Sequence, residues 1–150
     1  DNLHLKNLGP EPLKKAFNLI YFRQYIKGRN RVIKDILMDQ KFVSGIGNIY
    51  ANEILYLSKV MPFRKVYTLR ESELKIIIKY IKSVLKKSIK FGGSSIKDFS
   101  SSNGKKGSFQ EHFKIYGKKD KTCPNVNCNG KIIKSTTFSR ATFFCYKCQK

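Results

Sequence analysis

The chain has 150 residues and a net charge of +21, from 31 Lys and Arg against 10 Asp and Glu. That length allows one domain plus a small appendage, and that charge points to a polyanionic partner, with nucleic acid first. No stretch approaches the roughly 18–20 apolar residues of a membrane span, so a bilayer is excluded as more than a weak surface partner.

In chain order, residues 1–10 read as an extended connector, with Leu3, Leu5 and Leu8 among polar residues and Gly9-Pro10 at its end. Pro12 suits a first helical turn, which predicts a helix running to about Leu19. A short helix is expected from Asn30 to Asp39, burying Val32, Ile33, Ile36 and Leu37. The chain then turns through Phe42-Val43-Ser44-Gly45-Ile46-Gly47-Asn48 and enters a helix from Ile49 to about Lys59. Tyr50, Ile54, Leu55 and Leu57 make its apolar side. The strongest helical signal spans Arg70–Lys90, where Leu74, Ile77, Ile78, Ile81, Leu85 and Ile89 recur at three- and four-residue steps. Its lysines read as a solvated face, and Gly92-Gly93 supplies the stop.

From Gly92 to Gly107 the composition shifts to Gly, Ser, Asn and Lys, which marks a linker or a functional loop. Phe109 to Tyr116 restores a short ordered piece. Cys123-x4-Cys128, sixteen residues, then Cys145-x2-Cys148 follow. Two close pairs flanking a hairpin-sized insert suit a tetrahedral four-cysteine zinc site. Ile132, Ile133, Phe138, Phe143 and Phe144 give that insert two strands with an apolar face. Disulfide pairing is the alternative; no signal-peptide pattern or further cysteine favours it. So short a segment would draw its stability largely from metal, about 10–16 kcal/mol of apparent binding energy at such sites.

Gly45-Ile46-Gly47-Asn48 at a helix start is the second feature. Glycines let a phosphate approach the main chain, and Asn48 stands where it can cap the helix or donate its amide to a phosphate oxygen. An ordinary capped turn is the plainer reading, and the charge and the cysteine hairpin favour the phosphate. Arg140, after Ser139, falls at or near the hairpin tip, placed for a phosphate or a minor groove; a solvated turn arginine is the alternative. His4 and His112 lack metal-spaced partners. Glu53 and Glu71 lie on helices among lysines, so ion pairing is expected of them. No paired carboxylates, nucleophile-base pattern or phosphate-binding P-loop occurs.

In order, these pieces resemble the bacterial formamidopyrimidine-DNA glycosylases, relatives of endonuclease VIII. The resemblance rests on 8–13 (Leu-Gly-Pro-Glu-Pro-Leu), on 39–51 around Gly45-Ile46-Gly47-Asn48, on 92–99 and on 104–110. Ile115-Tyr116-Gly117 and the closing Arg140 to Cys145 and Cys148 to Lys150 complete it. It implies a mainly α fold, a helix-two-turn-helix domain over 1–115 followed by a four-cysteine zinc-finger β-hairpin over 116–150. It also implies one Zn2+ per chain, held by Cys123, Cys128, Cys145 and Cys148. The wide Cys123–Cys128 spacing departs from the family's two-residue gap and bears on the finger's first turn.

By the same resemblance, Gly47 and Asn48 hold a backbone phosphate and Arg140 holds another from the opposite side. Lys34 matches a basic position near the lesion, and Tyr116 adds a phosphate contact. The stretch 100–109 is similar to the loop that folds over everted 8-oxoguanine, which places Asn103, Gly104, Lys105, Lys106, Gly107 and Ser108 at the lesion. The endonuclease VIII branch lacks this loop form, so oxidised purines are favoured as the parent's substrates. Family members begin with a Pro-Glu dipeptide whose Pro amine attacks the sugar C1′, whereas this chain begins Asp1-Asn2. The expectation is therefore the DNA-binding half of a bifunctional glycosylase and AP lyase, monomeric, cytoplasmic and nucleoid-associated, inactive in base excision until joined to its catalytic lobe. Alternatives are an endonuclease VIII-type half or a free-standing zinc-ribbon binder of DNA or RNA.

Overall fold

The computed structural model describes residues 8–90, 112–137 and 139–150. Among them four α-helices and one β-hairpin order the chain: α1 (Leu19–Ile26), α2 (Ile33–Leu37), α3 (Asn48–Ser58), α4 (Glu71–Lys90), β1 (Ile133–Thr137) and β2 (Arg140–Phe144). A 3-10 turn, Val66–Thr68, sits between α3 and α4.

The helix expected after Pro12 is absent; that stretch turns twice instead, with Lys14 N–H bonded to Glu11 O and Phe17 N–H to Lys14 O, each at 3.1 Å. The helix begins one residue past Asn18, whose side chain accepts from Tyr21 N–H at 2.9 Å. A capping Asn is a stronger start signal than a Pro with no cap before it. α1 buries Phe22 and Ile26, and Phe17 closes beneath it against Phe42. α2 is shorter than the Asn30–Asp39 expected. Its entrance is consumed by extended pairing, Val32 with Lys65, and by the bond from Ile33 N–H to Arg64 O.

α3 is the axle of the molecule. It packs against α4, against α2 and against β2. Tyr50, Ala51, Ile54 and Leu55 are buried in the main core, with Ile33, Ile36, Leu37, Ile77 and Ile81 around them. Burial of such side chains contributes about 1.5–3 kcal/mol apiece. α4 follows the apolar stripe through Leu74, Ile77, Ile81 and Leu85, but Ile89, read as part of it, is 68% exposed. The apolar stripe ends one turn earlier, at Leu85, and Ser88 closes the buried face with its hydroxyl 2.8 Å from that of Tyr50.

A second apolar cluster joins Tyr56 of α3 to Ile115, Cys123, Ile132, Phe143 and Cys145, and Leu57 and Tyr116 pack against both clusters. The hairpin register pairs Ile133 with Phe144 and Thr137 with Arg140. Ser139 takes the left-handed conformation (φ 66°) that so short a reversal needs. No helix among the described residues is long and apolar enough to cross a membrane.

Candidate nucleic-acid interface and metal centre

The loop 40–47 is shaped by Gln40. Its Oε1 accepts from Gly45 N–H at 2.8 Å, while its Nε2 donates to Ile46 O at 3.2 Å. Gly45 has φ 92°, where only glycine is unstrained. Gly47 is different. It is the N-cap of α3 with φ −96°, and a Cβ added there would meet nothing within 4 Å. Among the described residues nothing makes a steric demand for glycine at 47. What the glycine leaves is open space in front of a helix N-terminus that no side chain caps. Exposed N–H donors and the helix dipole favour an anion there.

Asn48 is not the cap but the first residue of α3. Its Nδ2 donates to Ala141 O at 3.0 Å, and its Oδ1 is buried without a hydrogen-bond partner among the described residues. Buried orphan acceptors are uncommon, and each calls for an explanation such as a bound water, an ion or a functional role. Ala141 O also accepts from Lys34 Nζ at 3.2 Å and from Asn52 Nδ2 at 3.3 Å. Three side chains from α2 and α3 thus converge on the residue after Arg140. Arg140 itself is exposed at the start of β2.

Lys34 is buried, 5% exposed, with Nζ donating to Thr142 Oγ1 at 2.6 Å. Burial pulls its amine down to about 8; Asp35 pulls the other way and the Arg140 charge adds to the lowering. Lys34 and Arg140 share a cleft of about 830 Å³ with Lys41, Lys65 and Phe63 on its walls. Tyr116 is half-buried, its ring edge-on to Phe143 with centroids 4.9 Å apart. The structure therefore gathers Lys34, Gly47, Asn48 and Arg140 at the junction of α2, α3 and β2. Asn103, Gly104, Lys105, Lys106, Gly107 and Ser108 lie outside the described residues.

Glu53 differs from the expected ion pair. It is 4% exposed, and its carboxyl accepts from the N–H groups of Lys114 (2.7 Å), Ile115 (3.0 Å) and Tyr116 (2.8 Å). Burial pushes that carboxyl up, and the three amide donors oppose the rise. Glu71 does pair, with Arg23 at 3.0 Å.

The four cysteines are free thiols whose Sγ atoms all lie within 4.8 Å of one another. Cys123 and Cys148 sulfurs are 3.5 Å apart, and Cys128 and Cys145 sulfurs 3.7 Å. A tetrahedral site with bonds of about 2.3 Å needs sulfurs about 3.8 Å apart, so the donor set fits a metal ion of that kind. The wide first gap is taken up by a turn in which Asn127 is left-handed (φ 68°) and Cys128 N–H bonds Asn125 O at 3.1 Å. Asn125 Nδ2 then donates to Cys148 Sγ at 3.1 Å, so the added residues return a bond to the thiols. Tyr56 OH lies 3.0 Å from Cys123 Sγ. Gln149, 1% exposed, accepts from Cys145 N–H at 2.8 Å and donates to Val60 O at 3.0 Å, tying the last cysteine pair to the end of α3.

Asn52, Tyr56 and Gln149 were not singled out in the sequence. The signal for the first two was present: Asn48, Asn52 and Tyr56 are spaced i, i+4, i+8, one polar stripe on a helix otherwise apolar on its inner side.

A helical core of this kind, carrying a four-cysteine hairpin against its central helix, defines a helix-two-turn-helix protein with a metal-type finger. Residues 8–100 match the family profile of the formamidopyrimidine-DNA glycosylase H2TH domain. The chain belongs to the formamidopyrimidine-DNA glycosylase family. It is 46% identical over 145 residues to the formamidopyrimidine-DNA glycosylase of Proteus mirabilis, covering 97% of this chain and 52% of that protein. Among solved structures it is similar to Lactococcus lactis Fpg in complex with an abasic site containing DNA (TM-score 0.87, 34% identity, 99% of this chain and 54% of that one). It is also similar to Lactococcus lactis Fpg with a Fapy-dG containing DNA (TM-score 0.85, 35% identity, 99% and 53%). The chain spans about half the length of the relatives it matches.

Proposed function

We propose that this chain is the DNA-gripping half of a base-excision-repair glycosylase and AP lyase that acts on oxidised purines. One observation carries the reading: the open N-terminus of α3 at Gly47-Asn48 and the exposed Arg140 are joined through a single carbonyl, that of Ala141. Two phosphate grips fixed to one point can hold a strand at two places and keep it bent. Such bending lowers the cost of rotating a damaged nucleotide out of the stack, a few kcal/mol of unstacking. The likeness to Fpg bound to abasic and Fapy-dG DNA supports duplex DNA with a lesion as the partner.

In this reading Asn48 Nδ2, which carries a second hydrogen beyond the one given to Ala141, and the N–H groups behind Gly47 bind one phosphate. Arg140 binds a second. Lys34 and Tyr116 lie behind them as further contacts to the same strand, and 103–108 form the lesion loop. Zinc is the ion proposed for the four thiolates, one per chain, where it supplies the cross-link that lets so short a hairpin hold its shape. The helical unit runs to residue 115 and the finger from 116. The parent acts in the bacterial cytoplasm, and no described residue is assigned to bond breaking.

The grip is tested by salt dependence. Arg140→Ala should weaken duplex binding and lower the slope of log K against log salt by about one, and Asn48→Ala, which removes a neutral donor, should weaken binding with the slope unchanged. Unchanged affinity in both variants, with an unchanged slope for Arg140→Ala, would refute it.

A further inference from the structure

Asn52 is fully buried one turn after Asn48. Its amide makes three hydrogen bonds. Nδ2 donates to Asn48 O at 2.8 Å and to Ala141 O at 3.3 Å, and Oδ1 accepts from Phe143 N–H at 2.6 Å. The first partner is the opening turn of α3, where the candidate phosphate contact sits. The other two are backbone groups of β2, starting one residue after Arg140.

β2 has two edges. One is paired with β1. On the other, among the described residues, Lys34 and Asn48 each reach the backbone only at Ala141 O. Asn52 alone takes a carbonyl and an N–H two residues apart, which fixes the strand along its length as well as at a point. A planar amide with a donor and an acceptor side is the group that can do this. Aspartate lacks the donor when ionised, and an apolar residue lacks both.

We propose that Asn52 is a positioning residue that sets Arg140 at its working distance from Asn48, so that both reach one DNA strand. The inference rests on the phosphate grip proposed above. It makes the grip a property of three residues, of which only two touch DNA. Without Asn52 the Phe143 N–H and part of the Ala141 carbonyl lose their partners, and β2 is free to shift relative to α3. Arg140 is then intact but misplaced.

The test compares zinc-loaded wild type with Arg140→Ala, Asn52→Ala, Asn52→Asp and the Asn52→Ala/Arg140→Ala double variant. Each is titrated with a duplex carrying a tetrahydrofuran abasic analogue at several salt concentrations, with zinc content measured in parallel. Asn52→Ala should weaken binding about tenfold, as expected for one charge-assisted contact, and lower the salt slope by about one, as Arg140→Ala does. The double variant should bind no more than about twofold below Arg140→Ala, because the same contact is removed twice. Asn52→Asp should recover relative to wild type as pH falls from 8 to about 5.5. A protonated carboxyl can donate to Ala141 O and accept from Phe143 N–H, whereas the ionised form repels the carbonyls.

Additive losses in the double variant, or wild-type slopes in both Asn52 variants while Arg140→Ala loses its own, would overturn the positioning role and leave the grip standing. Should Asn52→Ala lose its fold or its zinc, the acid recovery of Asn52→Asp decides, and its absence overturns the proposal. Wild-type binding by Arg140→Ala would bring down the grip and this inference together.

Discussion

The phenol oxygen of Tyr56 lies 3.0 Å from the sulfur of Cys123, so the helix that opens at the candidate phosphate contact ends its inner stripe on the candidate metal centre. Asn48, Asn52 and Tyr56 cover about 12 Å of α3 at 1.5 Å per residue. Each of them touches the cysteine module: Ala141 O for the first two, Cys123 for the third. The finger is therefore seated along a helix rather than hung from the end of the chain.

Tyr56→Phe removes that bond and the one the phenol oxygen accepts from the Asn125 backbone N–H, while the ring stays in place. Burial, then the Cys123 contact, raises the phenol above its ordinary value, so its proton is available to the sulfur beside it. Loss of an outer-shell partner of this kind costs about 10–100-fold in metal affinity. Competition with a chromogenic chelator should show zinc bound more weakly by that order, with helical content unchanged. Equal affinity in the two proteins would mean that the phenol only fills space.

Lys34 gives a pH signature. Its amine falls from 10.5 to about 8 in the folded protein, so between those values the unfolded chain holds the proton and the native one has released it. Stability therefore rises with pH across that window. Below about 8 the cost of a buried charge is fully present, and it is relieved as pH climbs to 10.5. Denaturant titrations of wild type and Lys34→Met should differ in slope by roughly 2–3 kcal/mol over that range and run parallel below it. Parallel curves throughout would show that Lys34 titrates as an exposed lysine does.

Two glycines separate structural from functional demand. A Cβ on Gly9 would collide with the Phe42 carbonyl and lie 2.6 Å from Lys41 O, both backbone atoms that cannot swing away. Gly9→Ala should lower stability by about 1–3 kcal/mol in a denaturant melt, in the range of overpacking. Gly47→Ala should melt within about 0.5 kcal/mol of wild type, since nothing stands near the added methyl, and yet bind DNA more weakly. Normal DNA binding by Gly47→Ala would show that no phosphate comes close there.

What the sequence made legible follows from range. α4 was placed to within a residue, because Leu74, Ile77, Ile81 and Leu85 repeat within one element and nothing distant is needed to read them. The cysteine cluster was equally local, since metal ligands come in close pairs. The first helix was misplaced because Pro12 set its start, although Asn18, whose cap bond reaches only as far as Tyr21, was the better local signal. The bonds of Asn52 and Glu53 were out of reach for a different reason. Their partners lie 91 and 61 residues away, and a polar residue on a lysine-rich chain gives no sign of which distant backbone it will meet. Gly47 was singled out with Gly45 as a place where a phosphate can approach the main chain; its φ of −96° needs no glycine, and among the described residues the space around it is open.

The proposed grip needs a metal-seated finger and the start of α3 acting together on damaged duplex DNA. The measurement that tests it most directly is binding of the zinc-loaded protein to a duplex with an abasic analogue against the same intact duplex, before and after chelation. Tighter binding to the abasic duplex is expected, with loss of that preference when the metal is withdrawn. Equal affinity for the two duplexes, or a preference that survives removal of the metal, would contradict it.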